Sequence, residues 1–246
     1  MFGLLLISFF ACSQDPVGSV ALDLEKNEMP LKAGKTELIA DLTSATDSSR
    51  KWIDSDFKNP KSLFTFYYDA GLSEFALMPT TFDAKAKKWK TEIHPKADGR
   101  YFLHTFGILK QQNDLQFSSG SFSVYGGAKA NPLPGKETQQ SLNAGDKSLS
   151  GKLDIKRQKS GEIAFELKLK SKSHVQLQPW REESDALILI SDLSGETFHF
   201  AVAKIDPKKG SLSALNKGIS EKAFRRVWVV FKESKQEYIW PFIVQF

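Results

Sequence analysis

Few side chains in this sequence are equipped for chemistry, and their spacing limits what they can do. Cys12 is the single cysteine. The four histidines, His94, His104, His174 and His199, are dispersed, and none stands at the short spacing from which two imidazoles ligate one metal ion. Asp54-Ser55-Asp56 brings two carboxylates together but lacks the glycine and the bidentate glutamate of a calcium loop, so it reads as a polar turn. The sequence holds no nucleophile elbow, phosphate-cradling glycine loop, metalloprotease helix or Cys-Xaa-Xaa-Cys pair. No catalytic residue and no cofactor is therefore expected, and the chain reads as a non-enzyme.

Cys12 ends the apolar run Phe2–Ala11, which is too short to cross a bilayer and reads as the hydrophobic region of a secretory signal. The ending Phe9-Phe10-Ala11-Cys12 resembles the lipobox of bacterial lipoproteins, in which a small residue precedes a cysteine that is lipidated and becomes the mature N-terminus. Phe9 stands where leucine is usual, and no Lys or Arg precedes the run. A lone thiol on an exported chain has no internal disulfide partner, which agrees with lipidation. The resemblance implies a signal over 1–12, a palmitate-bearing Cys12, a tether over 13–19 and membrane lipid as a partner. It also implies a cell-envelope location, with Ser13 in place of Asp pointing to the outer membrane, facing the periplasm.

The 246 residues are 41% hydrophobic and 26% charged, values of a globular chain that exclude disorder and a helical membrane bundle. Net charge is +5 with a pI of about 9.1. The lysines are spread over alternating positions such as Lys168 and Lys170, with no Arg-rich helix or aromatic RNA-binding motif. No nucleic-acid partner is expected; an anionic membrane surface is the more natural use of the charge.

What must position these residues is a repeat. Leu63–Phe82 matches Ala186–Ile205 without a gap at an offset of 123, aligning Asp69 with Asp192, Phe75 with Phe198 and Asp83 with Asp206. Further matches keep the same order: Val20–Lys26 with Gly151–Arg157, Gly34–Leu42 with Gly161–Leu169, Trp52 with Trp180, and Arg100–Phe106 with Phe224–Phe231. A period of this length signals duplicated domains. Period-2 alternation predicts strands at Val20–Glu25, Glu37–Leu42, Leu63–Tyr68, Phe75–Met78, Trp89–Ile93, Arg100–Leu109 and Ser121–Tyr125. In the second copy it predicts Lys152–Lys156, Ile163–Lys168, Leu187–Ser191, Thr197–Lys204, Phe224–Lys232 and Tyr238–Phe246. The expected fold is all-β: two tandem immunoglobulin-like sandwiches over 20–125 and 148–246, joined by a Gly/Pro-rich linker over 126–147. Core packing is expected of both Trp52 and Trp180. The terminal alternation Tyr238, Trp240, Phe242, Val244, Phe246 also resembles the closing strand of an outer-membrane barrel, but the intervening Ile239, Pro241 and Ile243 are apolar, which favours a last sandwich strand.

The order of an aromatic near Trp52 or Trp180, a strand, an Asp-containing turn and a Phe-led strand is similar to a bacterial periplasmic sandwich family associated with heavy-metal and copper handling. That family carries a Phe-Xaa-His-Xaa-His-Pro motif followed by a Gly-Xaa-Tyr strand. The corresponding places here read Phe75-Ala-Leu-Met-Pro79, Gly99-Arg-Tyr101 and, in the second copy, Phe198-His-Phe-Ala201. The resemblance implies sandwich domains and leaves Met78, His104 and His199 as the candidate metal ligands. The linker gives no reason to expect these to meet across an interface, so no tight metal site is expected. The functional expectation is a lipid-anchored envelope protein with a binding, scaffolding or assembly role and an envelope protein as possible partner; the alternative is periplasmic metal handling.

Overall fold

In the computed structural model the described residues are 20–25, 30–44, 47–112, 115–132, 142–171, 175–181, 184–195, 197–219 and 223–245. Cys12, the tether and His174 lie outside them, as does 133–141 within the Gly/Pro-rich segment.

The alternating pattern gives strands throughout. The first half contributes β1 (Val20–Leu24), β2 (Leu31–Lys32), β3 (Thr36–Ser44), β4 (Lys51–Trp52), β5 (Phe64–Asp69), β6 (Phe75–Asp83), β7 (Lys88–Ile93), β8 (Gly99–Gly107) and β9 (Gln116–Tyr125). The second contributes β10 (Asn143–Gly145), β11 (Leu149–Arg157), β12 (Ile163–Ser171), β13 (Leu177–Gln178), β14 (Ala186–Asp192), β15 (Phe198–Asp206), β16 (Ser211–Asn216), β17 (Phe224–Glu233) and β18 (Gln236–Gln245). In the first half the spatial order is β1-β3-β7-β6-β5-β8-β9-β2, with β4 also on β3, and in the second β10-β11-β12-β16-β15-β14-β17-β13, with β18 also on β17. The fourth principal strand of each half changes sheets midway. β6 pairs β5 through Phe75–Pro79 and β7 through Thr80–Asp83, while β15 pairs β14 through Phe198–Ala203 and β16 through Lys204–Asp206. Each half is thus a sandwich with its first, second, fifth and fourth principal strands on one sheet and its third, sixth and seventh on the other, the immunoglobulin-like order.

The registers show why the repeat was legible. Tyr68 faces Phe75 across β5 and β6, and Ser191 faces Phe198 across β14 and β15, again 123 residues on. Asp69 and Asp192 open matching turns: Leu72 N donates to Asp69 O and Gly195 N to Asp192 O, and both Leu72 (φ 57°) and Gly195 (φ 79°) are left-handed. Asp83 and Asp206 each accept two backbone N–H groups of the following turn, from Lys85 and Ala86 or from Lys208 and Lys209. Aspartate recurs at these places because its carboxylate holds a turn that the backbone alone leaves unsatisfied.

Three expectations need correction. β16 was not foreseen, because Ser211-Leu-Ser-Ala-Leu-Asn216 lacks the β-branched and aromatic residues that mark strands. The match of Val20 with Gly151 is two residues out: Val20 pairs Ser44 and Leu149 pairs Ser171, so Val20 corresponds to Leu149. A slip of two keeps every side chain on its own face and leaves the pattern unchanged. Trp52 and Trp180 are not equivalent. Trp52 is buried with Leu42, Phe57 and Trp89 inside the first sandwich, whereas Trp180 packs edge-on against Phe64, a residue of the other half.

The two interiors have diverged at four matching positions. Thr65, Thr80, Thr91 and Thr105 form a buried hydroxyl cluster, with Thr65 Oγ1 lying 2.8 Å from both Thr80 and Thr105 and Thr80 lying 2.9 Å from Thr91. Their counterparts by register are Ile188, Ala203, Ala214 and Val229, all in the apolar core of the second sandwich. A fully satisfied buried hydroxyl set and a close-packed apolar one are alternative solutions to the same space.

Candidate functional site

The strands that matter most are buried on both faces. Every residue of β5 is buried, and Ala186–Ser191 of β14 likewise. One face of each points into its own sandwich: Tyr67 with Tyr101 and Phe122 in the first half, and Ile188 and Ile190 with Val229 and Phe242 in the second. The opposite faces meet each other. Phe64, Phe66, Tyr68, Phe102 and Phe106 from the first half pack with Trp180, Leu187, Leu189, Trp228 and Val230 from the second in one buried cluster. The halves are therefore joined face to face along an aromatic seam, which the glycine-rich linker did not suggest.

The seam has the logic of an isologous interface, in which a residue meets its own counterpart and contacts come in reciprocal pairs. Tyr68 Oη lies 3.3 Å from Ser191 Oγ, its counterpart at the offset of 123. Phe75 packs on Trp228 with ring centroids 6.0 Å apart, and the reciprocal pair, Phe198 on His104, stacks at 3.6 Å. Tyr68 also donates to Gly195 O at 3.0 Å. Gly195 is required there: a Cβ would stand 2.5 Å from the Phe102 ring. Burial pushes the Tyr68 hydroxyl well above the ordinary tyrosine range, so it stays a neutral donor.

The candidate metal ligands do not converge. His104 is buried in the seam, its Nδ1 2.8 Å from Ser119 Oγ and its Nε2 3.2 Å from Tyr68 Oη, and burial pushes its pKa down to about 3. Met78 packs on the interior of the first sandwich, against the cluster of Tyr67 and Tyr101. His199 points away from the seam, its ring beside Gly218, and burial followed by the Arg225 guanidinium lowers its pKa. Asp54 and Asp56 accept the N–H groups of Ser55 and Ile53 and so close a 3-10 turn. Among the described residues no three His, Cys, Asp or Glu side chains are grouped to hold a metal ion. Tyr101 of the Gly99-Arg-Tyr101 segment donates to Glu74 Oε2 at 2.6 Å and braces the first sandwich.

A groove of about 620 Å³ lies on the outer face of the β11-β12-β16-β15 sheet, a volume in the range of small-ligand sites. Its lining includes Ala164, Val202 and Leu215 among Asp154, Lys156, Glu166, Lys204 and Ser213. Sequence reasoning missed it because it is an absence of charge at scattered outward positions, visible only when the two halves are compared strand by strand. In the first half, Lys90 bridges Glu37 (3.2 Å) and Asp83 (3.1 Å), and Lys35 pairs Glu92 (2.7 Å). By register, Glu37, Lys90 and Glu92 become Ala164, Ser213 and Leu215 in the second half.

No family model matches the chain, and no curated protein matches it. Among solved structures it is similar to the FN1-FN3 domains of chicken CNTN1, at 8% identity over 93% of this chain and a TM-score of 0.24. It is similar also to a marsupial T cell receptor, at 10% identity over 92% and a TM-score of 0.28. The chain spans 65% and 64% of the length of those two chains. At such scores the likenesses carry no functional argument; the immunoglobulin-like architecture stands on strand order and register.

Proposed function

We propose that this chain is a lipid-anchored protein of the bacterial cell envelope with a non-catalytic binding or scaffolding role. The domain division we propose is 20–125 and 148–246, with 126–147 connecting the two and its Asn143–Gly145 adding a short edge strand to the second sandwich. The observation that carries the reading is the pairing of an apolar run ending in Ala11-Cys12 with a body of two sandwiches joined through a buried aromatic cluster. The buried polar side chains His104 and Tyr68, and those of the threonine cluster, are spent on mutual hydrogen bonds, and the groove of the second sandwich lies on a sheet face. Metal handling gains no support from Met78, His104 and His199, which face separate regions of the fold.

Cys12→Ala is expected to remove the protein from the membrane fraction, since it removes the thiol that would carry the anchoring lipid. Fractionation and intact mass of the full chain check this. Membrane association and mature mass unchanged by the substitution would overturn the anchored reading.

A further inference from the structure

We infer that the groove on the outer face of the second sandwich binds a small amphiphilic anion, an aliphatic chain carrying one carboxylate. The inference rests on the binding role proposed above and names what is bound. Three observations converge on it. First, the floor is apolar where the duplicate is charged: Ala164 and Leu215 occupy the places of Glu37 and Glu92, and Leu215 is 54% exposed. Second, the charges at the rim are unequally matched. Asp154 and Glu166 share Lys168, at 2.8 and 3.2 Å, and Lys152, 3.5 Å from Asp154, supplies the second positive charge that balances the pair. Lys156 and Lys204 line the same groove, and neither has a carboxylate within ion-pair distance among the described residues. The uncompensated charge is therefore positive. Third, Lys204 replaces Thr81 of the first half, so a surface that lost Glu37, Lys90 and Glu92 has gained an ammonium group at its edge, while the carboxylate it gained, Glu166 in place of Ile39, is engaged by Lys168.

An isolated leucine on a surface needs no explanation, and neither does an unpaired surface lysine. Their coincidence in a concavity is different. Apolar contact supplies affinity along the chain of the ligand, and two ammonium groups at the rim select the sign of its head. A cationic head would face Lys156 and Lys204 with nothing to attract it, because the nearby carboxylates are already engaged by Lys168.

The test is a nuclear magnetic resonance titration of the full chain, labelled at Ala, Val and Leu methyls, with sodium octanoate, neutral octyl glucoside and sodium acetate. Octanoate is expected to shift Ala164, Val202 and Leu215 saturably, with a Kd below about 1 mM. Leu215→Glu and Lys204→Thr, which restore the residue types of the first half at exposed positions, are each expected to weaken it at least tenfold without changing the rest of the spectrum. Equal affinity for octyl glucoside would overturn the anionic head, and equal affinity for acetate would overturn the apolar floor. Shifts absent, or insensitive to both substitutions, would overturn the groove as a site. None of these outcomes bears on the membrane fractionation of Cys12→Ala, so the ligand and the anchor fail separately.

Discussion

Trp228→Ala is expected to destabilise both halves together, by about 3–5 kcal/mol, the usual cost of removing a large aromatic from a closed core. Trp228 is fully buried in the seam, edge-on to Phe66 with centroids 5.1 Å apart and 5.0 Å from the ring of Tyr68. Truncation opens a void between the sandwiches that neither sheet can collapse into without disturbing its own interior. For a chain of this length the loss corresponds to a fall in Tm of about 10 °C. Hydrogen exchange distinguishes the coupled from the local case, with the amides of β5 reporting on the first half and those of β12 on the second. Both are expected to lose protection in the variant. Loss confined to the second half would show that the sandwiches fold and unfold independently. Leu215→Ala, on the exposed groove floor, is the control and is expected to change stability by less than about 0.5 kcal/mol.

Acid is expected to weaken the same seam. His104 is held neutral by burial with its pKa at about 3, while in an unfolded chain it titrates near its ordinary 6.5. Above pH 6.5 neither state carries the proton. Between about 6.5 and 3 only the unfolded chain takes it up, so the stability contributed by neutral His104 is lost progressively as pH falls through that window. The slope is about 1.4 kcal/mol per unit, which amounts to about 3 kcal/mol by pH 4.5. Burial lowers the pKa of His199 as well, so the informative quantity is the difference from His104→Asn. Denaturant unfolding of both proteins from pH 7.5 to 4.5 is expected to show the parent losing stability faster than the variant by this amount. Parallel curves would mean that His104 is solvated or protonated in the fold.

How far the sequence carried the reading is clearest at individual residues. Asp69, Asp83, Asp192 and Asp206 were legible because turns held by a carboxylate demand that side chain at that position. Phe75 and Phe198 were legible as a matched pair, but their role was not. Periodicity reports that a side chain is buried, and it cannot say whether the covering surface belongs to the same sandwich. Phe64, Phe66 and Tyr68 alternate with Thr65 and Tyr67 in a strand buried on both faces. That double-sided burial was the available sign of the seam. Likewise Ile239, apolar beside the inward Trp240 and Phe242, packs on the seam, which explains why that position of the last strand is not polar. Trp52 and Trp180 misled because similar spacing from a strand does not fix the direction in which a loop returns. Of the candidate site, Leu215 and Ala164 were invisible as single residues, and became informative only beside Glu92 and Glu37.

The fusion of two duplicated sandwiches through a reciprocal aromatic seam is tested most directly where His104 meets Phe198. The imidazole of His104 and the ring of Phe198 come from opposite halves and stack with centroids 3.6 Å apart. A nuclear Overhauser experiment on the full chain, with histidine and phenylalanine rings selectively labelled, is expected to give a strong cross-peak between these two rings, from an imidazole that does not titrate between pH 7.5 and 5. The absence of that cross-peak, together with a His104 resonance titrating near pH 6.5, would contradict the seam and leave two sandwiches joined only by their linker.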